Sequence, residues 1–325
     1  MKLQLLKLIT ILTVFTFSTT AKECDFVKPE VQLPENYSTN LDILQIATRA
    51  LSFSQDGVTF YTDLTELQKK DRRKQKSRST SADLDSVGRI KVTYRDGKIS
   101  HCSGTLISTV PGQSSRVIKS AAHCFGNTIT EEKHDIKSIT WEVTTKSGQR
   151  IVKELNIEIL ELDRDNAVLS FNGKIPFKTI KPALVEVEIG MNPDELFDFE
   201  PTRIISAGYS ADNYKGNGGK TMTYDDEITW RSYRGHPSDS HRQFIMDTVA
   251  FSGGSGGALL VEANLEEEGI ENPYKQLYYA GTTLSLDESS KYYKLSSSDN
   301  AAGASRIRFD TYQGIDDKVV AQLNR

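Results

Sequence analysis

His123, Asp165 and Ser255 are the side chains whose types, order and surroundings could together carry out covalent chemistry. They sit in Ser120-Ala121-Ala122-His123-Cys124, Asp165-Asn166-Ala167-Val168-Leu169 and Gly253-Gly254-Ser255-Gly256-Gly257. A hydroxyl attacks a carbonyl only when a base removes its proton. The base in turn must be held in one tautomer by a third group. An imidazole, a carboxylate and a serine in this chain order therefore point to nucleophilic acyl transfer. The glycines beside Ser255 permit unusual dihedrals and close approach of a substrate, so the oxyanion hole is assigned to the N–H groups of Gly253 and Ser255.

Each motif has a plainer reading. Gly/Ser runs are often flexible linkers, a lone histidine is usually a surface or core residue, and an aspartate often starts a strand. The apolar segment 258–261 follows the serine run directly, which a floppy linker rarely allows. Asp163 competes with Asp165, which is preferred because the apolar run begins one residue after it. His101, His134, His236 and His241 lack a comparable setting and are read as structural.

Cys102 and Cys124 are candidates for a disulfide that clamps the histidine turn, which leaves Cys24 over. The pairs His101-Cys102 and His123-Cys124 could ligate zinc chemically. Adjacent residues of a strand point to opposite faces, however, and neither pair has ligand spacing, so no metal and no cofactor are expected. Residues 216–221 end like a phosphate-binding loop, but its first glycine would fall at Tyr214, and the motif fails.

The elements that must position these groups read as β. From Val87 onward short alternating runs are separated by turn signals, among them Arg95-Asp96-Gly97 and Lys146-Ser147-Gly148, which argues for a barrel or a sandwich. Residues 315–323 have a helical period and close the chain. Residues 213–224, rich in Gly and Asn, and the acidic stretch 262–273 read as solvated surface loops. Upstream, residues 41–51 fit an amphipathic helix. The basic run 69–78 reads as a mobile, solvated linker, with a processing site as its functional reading.

The 325 residues carry a net charge of -4, which gives no reason to expect a nucleic-acid partner. Lys2 and Lys7, the short apolar run 8–17 and Thr19-Thr20-Ala21 make up the three parts of an export signal, and no later run is long enough for a membrane helix. The expected organisation is a signal peptide over 1–21, a pro-region and basic linker over 22–85, and a catalytic domain over 86–325. The product would be secreted or periplasmic, with no membrane partner.

Taken with Cys102-Ser103-Gly104-Thr105-Leu106-Ile107, the three motifs resemble those of the trypsin/chymotrypsin-like serine peptidases. The resemblance covers about Val87 to the C-terminus. It implies an all-β fold of two six-stranded antiparallel barrels, here with a C-terminal helix, acting on polypeptide through an acyl-enzyme. Gly254 stands where the animal digestive members carry an aspartate that pairs with a newly cut N-terminal amine. Ala207-Gly208-Tyr209 and Asp247-Thr248 are more similar to the bacterial glutamyl endopeptidase branch, which is made with a pro-segment. The resemblance puts the substrate pocket at 249–252 and 282–285. Val249 and Ala250 supply no carboxylate for Lys or Arg, whereas Thr248, Thr282 and Thr283 could offer hydroxyls to a glutamate. The alternative is a catalytically impaired binding module on the same fold.

Overall fold

Leu106 and Ile107, Val117 and Ile118, and Val168 and Leu169 are adjacent apolar pairs, and every member is at most 1% exposed. A strand sends neighbouring side chains to opposite faces, so these strands must be covered on both sides. The arrangement that does so is a pair of barrels packed together. The structure is a computed structural model that describes residues 52–55, 58–61, 70–127, 130–185, 201–234, 241–265, 274–286, 292–294, 302–304, 307–312 and 316–325. The signal segment, the helix expected at 41–51, Cys24, His236 and residues 266–273 of the acidic stretch lie outside the described residues. The first part of that stretch, 262–265, ends a strand instead of starting a solvated loop, and its Glu262 is buried against Arg203.

The first barrel comprises β1 (Val87–Tyr94), β2 (Ile99–Ser108), β3 (Ser115–Ala121), β4 (Ile136–Thr144), β5 (Arg150–Glu154), β6 (Asn156–Glu161) and β7 (Asn166–Ile175). All pairings are antiparallel, in the order β5-β4-β1-β2-β3-β7-β6. β5 and β6 are halves of one strand broken at Leu155, whose N–H donates to Ile139 O at 2.9 Å. One half pairs with β4 and the other with β7, which closes a six-stranded ring. Inside lie Ile90, Val92, Leu106, Ile118, Trp141 and Leu169.

The second barrel repeats the device. β8 (Pro201–Gly208), β9 (Thr223–Asp225), β10 (Thr229–Arg234), β11 (His241–Asp247), β12 (Ala258–Leu265), β13 (Tyr274–Leu286) and β14 (Ile307–Tyr312) pair in the order β9-β8-β12-β13-β14-β11-β10. β9 and β10 are again two parts of one interrupted strand. The fold is therefore all-β, with two six-stranded antiparallel barrels of chymotrypsin-like order.

Between the barrels, Ile107, Val117 and Val168 of the first meet Ile205, Leu260 and Tyr279 of the second. A short strand, Ala183–Leu184, pairs in parallel with both β2 and β13 across this seam. The expected C-terminal helix is α1 (Asp316–Leu323), and its Val320 is fully buried in the same cluster. The Arg116 guanidinium donates to Leu323 O at 2.6 Å and satisfies one of the carbonyls a helix end leaves open.

Two further stretches differ from the sequence reading. From Lys70 the basic run is not a free linker, because Lys74–Gln75 forms a strand antiparallel to β9 and Lys76 N–H donates to Met222 O. Residues 213–224 are not a simple solvated loop. The Asp212 carboxylate draws in the Lys215 and Gly216 N–H groups at 2.7 and 3.1 Å, and the stretch ends in β9. In both places charges that look solvated in the sequence find partners far along the chain.

Candidate active site

β3 ends at Ala121, and the short helical turn Ala122–Cys124 carries His123. Ala121 and Ala122 are fully buried, where a longer side chain would have to displace the barrel core. Cys124 is disulfide-bonded to Cys102 on β2, so the turn is cross-linked to the neighbouring strand.

Asp165 arrives through register. Asn166 pairs with Ala121 across β7 and β3, so the residue before it lies beside the start of the histidine turn. Asp165 has φ +53, a left-handed backbone that Asp and Asn tolerate better than most residues. Its main-chain O accepts from Ala122 N–H at 3.1 Å, and Oδ1 accepts from His123 N–H at 2.7 Å. The carboxylate also faces the ring, with Nδ1···Oδ2 at 2.8 Å and Nδ1···Oδ1 at 3.1 Å. With Nδ1 as the donor to a carboxylate, Nε2 of the neutral ring is left as an acceptor. Asp163 points elsewhere; its side chain is 63% exposed beside Arg164.

The serine loop descends from the second barrel. Gly254 N–H donates to Phe251 O at 3.0 Å and Gly257 N–H to Gly254 O at 2.9 Å, which makes two successive tight turns. Gly253 and Gly256 take φ +90 and +76. A Cβ on Gly256 would lie 2.2 Å from Ser120 Oγ and 2.3 Å from Ser103 O, so only glycine lets the loop lie against the first barrel. The same position is 3.2 Å from Ala121 N, two residues before His123.

Ser103 ties the loop down. Its N–H donates to Ser255 O at 2.7 Å, its Oγ–H donates to Gly253 O at 2.9 Å, and its Oγ accepts from Tyr209 N–H at 2.8 Å. Thr283 holds the far side, accepting from Gly256 N–H and donating to Gly257 O, both at 2.8 Å. The carbonyls of Gly253, Gly254, Ser255 and Gly257 are thus occupied. Among the described residues, the N–H groups of Gly253 and Ser255 donate no hydrogen bond. Ser255 is partly exposed, and no hydrogen bond joins its Oγ to His123.

Ser103 is a positioning group that the sequence reading leaves without a role. The available signal was a small polar residue directly after the bridge cysteine. The two His-Cys pairs have no free thiol, since both cysteines form the disulfide. His101 lies half-buried on β2, where burial first, and then the Arg89 and Lys91 charges, lower its pKa. Two of the three threonines expected to face a substrate turn inward. Thr248 Oγ1 donates to Asp225 at 2.9 Å, and Thr282 Oγ1 lies 2.5 Å from the Tyr279 hydroxyl.

No family model matches the chain, and no sequence of a curated protein does either. Among solved structures it is similar to a Glu endopeptidase in complex with MPD, at 15% identity and TM-score 0.46 over 78% of this chain and 98% of that one. It is similar to the protease Anisep from Arthrobacter nicotinovorans at 11% identity and TM-score 0.45, over 75% and 98% of the two chains. A collagenase named HL aligns at 17% identity and TM-score 0.40, over 70% and 91%. Likenesses of this size leave the chemistry to be argued from the site itself.

Proposed function

We propose that the chain is a serine endopeptidase exported with a signal peptide and a pro-region. Ser255 Oγ attacks the peptide carbonyl while His123 Nε2 takes its proton. The N–H groups of Gly253 and Ser255 stabilise the oxyanion, and the imidazolium returns the proton to the leaving amine. Water, deprotonated by the same ring, then releases the acyl group and regenerates Ser255. Asp165 holds the neutral ring in the acceptor tautomer and stabilises the imidazolium when it forms. The observation that carries this reading is the carboxylate fastened to both the ring and the main chain of His123, beside a glycine loop with two N–H groups that donate no hydrogen bond among the described residues. By its motifs the chain is nearest the bacterial glutamyl endopeptidases. The inward turn of Thr248 and Thr282 removes most of the support for a glutamate preference.

The test is hydrolysis of casein and a peptide-ester panel by the processed protein and by Ser255→Ala. Turnover should fall by about 10⁶-fold in the variant with the fold unchanged by circular dichroism. Equal turnover by both proteins would refute the assignment. The competing reading is a binding module on the same fold, and it draws on the missing contact between Ser255 Oγ and the ring. Catalytic hydrogen bonds often tighten only with substrate present, so that gap alone does not favour it.

A further inference from the structure

Behind the serine loop lies an ionic cluster that the proposed chemistry does not use. The Arg73 side chain is 3% exposed, and the carboxylates of Asp71 and Asp212 are fully buried. Arg73 Nε and Nη2 donate to Asp71 at 2.9 and 2.8 Å, while Nη1 and Nη2 donate to Asp212 at 2.9 and 3.3 Å. The guanidinium thus makes two forked contacts, a geometry that lysine cannot copy. Burial alone would lower its pKa, but the Asp71 hydrogen bonds and the two carboxylate charges outweigh that and hold it up. Lys215 Nζ donates to the Asp71 and Arg73 carbonyls, both at 2.7 Å, and closes the cluster from the outside.

Two links run from this cluster to Ser255. Arg73 Cζ sits 4.9 Å from the centroid of the Phe251 ring, and Phe251 O accepts the Gly254 N–H that forms the first turn of the serine loop. Asp212 fixes the turn that follows β8, in which the N–H of the preceding Ala211 donates to Ser252 O at 2.7 Å. There Tyr209 O would lie 2.8 Å from a Cβ on Gly253. Arg73 and Gly254 also share the wall of one internal crevice, with Val249, Ala250 and Thr283. Gly254 has no side chain with which to anchor the loop itself, so the cluster adds support at 251–254 to what Ser103 and Thr283 give at 253–257.

We propose that Arg73 is a positioning residue for the Ser255 loop, strapping the segment before the first barrel to Asp212 and Phe251 and so setting the peptide units 252–255. This rests on the reading of Ser255 as nucleophile. It gives the basic run a role inside the folded enzyme rather than only as a place to cut. The strap would act through the orientation of the Gly253 and Ser255 N–H groups, so its loss should appear in kcat more than in KM.

The test compares the processed wild-type protein with Arg73→Lys, Asp212→Asn and the surface control Lys74→Ala. It measures kcat and KM on one peptide ester, together with amide exchange at Gly254 and Gly256. Arg73→Lys should lower kcat by about 10²-fold with KM changed less than about threefold. It should also speed Gly254 exchange at least about tenfold while β1 and β2 stay protected. Lys74→Ala should match wild type. Should Arg73→Lys fail to fold, Asp212→Asn keeps the acceptor for the Lys215 and Gly216 N–H groups and should show the same split. A kcat within about twofold of wild type, with unchanged Gly254 exchange, overturns the strap. Absence of turnover in the wild type itself would instead sink the nucleophile reading, and the exchange measurement would still decide the strap.

Discussion

Ser103 shows how much one small side chain can organise. Through its N–H and its hydroxyl it holds the carbonyls of Ser255 and Gly253 and receives the Tyr209 N–H, so one side of the serine loop is set from the first barrel while Thr283 of the second holds the other. Ser103→Ala removes the two hydroxyl bonds and leaves the Gly253 carbonyl and Tyr209 N–H without that partner. At about 1 kcal/mol for each bond, kcat/KM should fall roughly tenfold or more, with the melting temperature lowered by a few degrees. Thermal melts and initial rates on the same preparation would check this; an unchanged kcat/KM would mean that the loop holds its shape without Ser103. Asp165 could be singled out in the sequence because an apolar run follows it after one intervening residue, Asn166. Ser103 could not, because a small polar residue beside the bridge cysteine is only a weak local signal. Its importance lies in partners 106 and 150 residues away.

At the scale of elements, the histidine turn and the strands under it carry the next expectations. The Cys102–Cys124 bridge closes a loop with a sequence separation of 22. By the loop-entropy relation, replacing both cysteines with alanine should cost about 3 kcal/mol, measurable by denaturant unfolding. A loss below about 1 kcal/mol would mean that the turn is held by Asp165 and packing instead. Glu142 on β4 joins Arg89 of β1 and Arg150 of β5, the latter at 2.5 Å, and so ties three strands together. Burial would raise its pKa, but the Arg150 and Arg89 contacts overcome this and hold it below the ordinary glutamate value. A depressed carboxylate stabilises the fold above its unfolded pKa and stops doing so as pH falls through the folded one. Glu142→Gln should therefore cost about 1 kcal/mol or less at pH 7 and nothing at pH 2–3. A cost that grows on acidification would contradict the sign. Strand identity was readable from alternation in β1 and from the Arg95-Asp96-Gly97 turn. The doubly covered strands β2, β3 and β7 hid their period, since a seam on one side and a barrel core on the other bury both faces.

For the whole molecule, the main consequence is where the proposed processing could cut. A run of Lys and Arg looks solvated in a sequence because its partners cannot be seen. Here Arg72 reaches Asp225, Arg73 reaches Asp212 and Lys74 reaches Asp226, each roughly 140–150 residues ahead. Residues 71–76 thus belong with the barrels, and the mature protein should begin at or before Asp71. N-terminal sequencing of the active secreted form would check this. An active form that starts after Lys76 would show that the strap is dispensable. Turn spacing pointed to a barrel or a sandwich, the family resemblance to two barrels, and a helical period to the closing helix. The docked segment required coordinates, because it is specified by charge pairing over long distance rather than by any local period.

Intact mass spectrometry after treatment with a fluorophosphonate tests the central claim most directly, because the adduct forms only where a base activates a serine beside an oxyanion site. The account expects one adduct per chain, mapped to Ser255, absent in Ser255→Ala and formed at least about 10³-fold more slowly in His123→Ala. A folded, processed protein that takes up no label, or carries it on another residue, would contradict it.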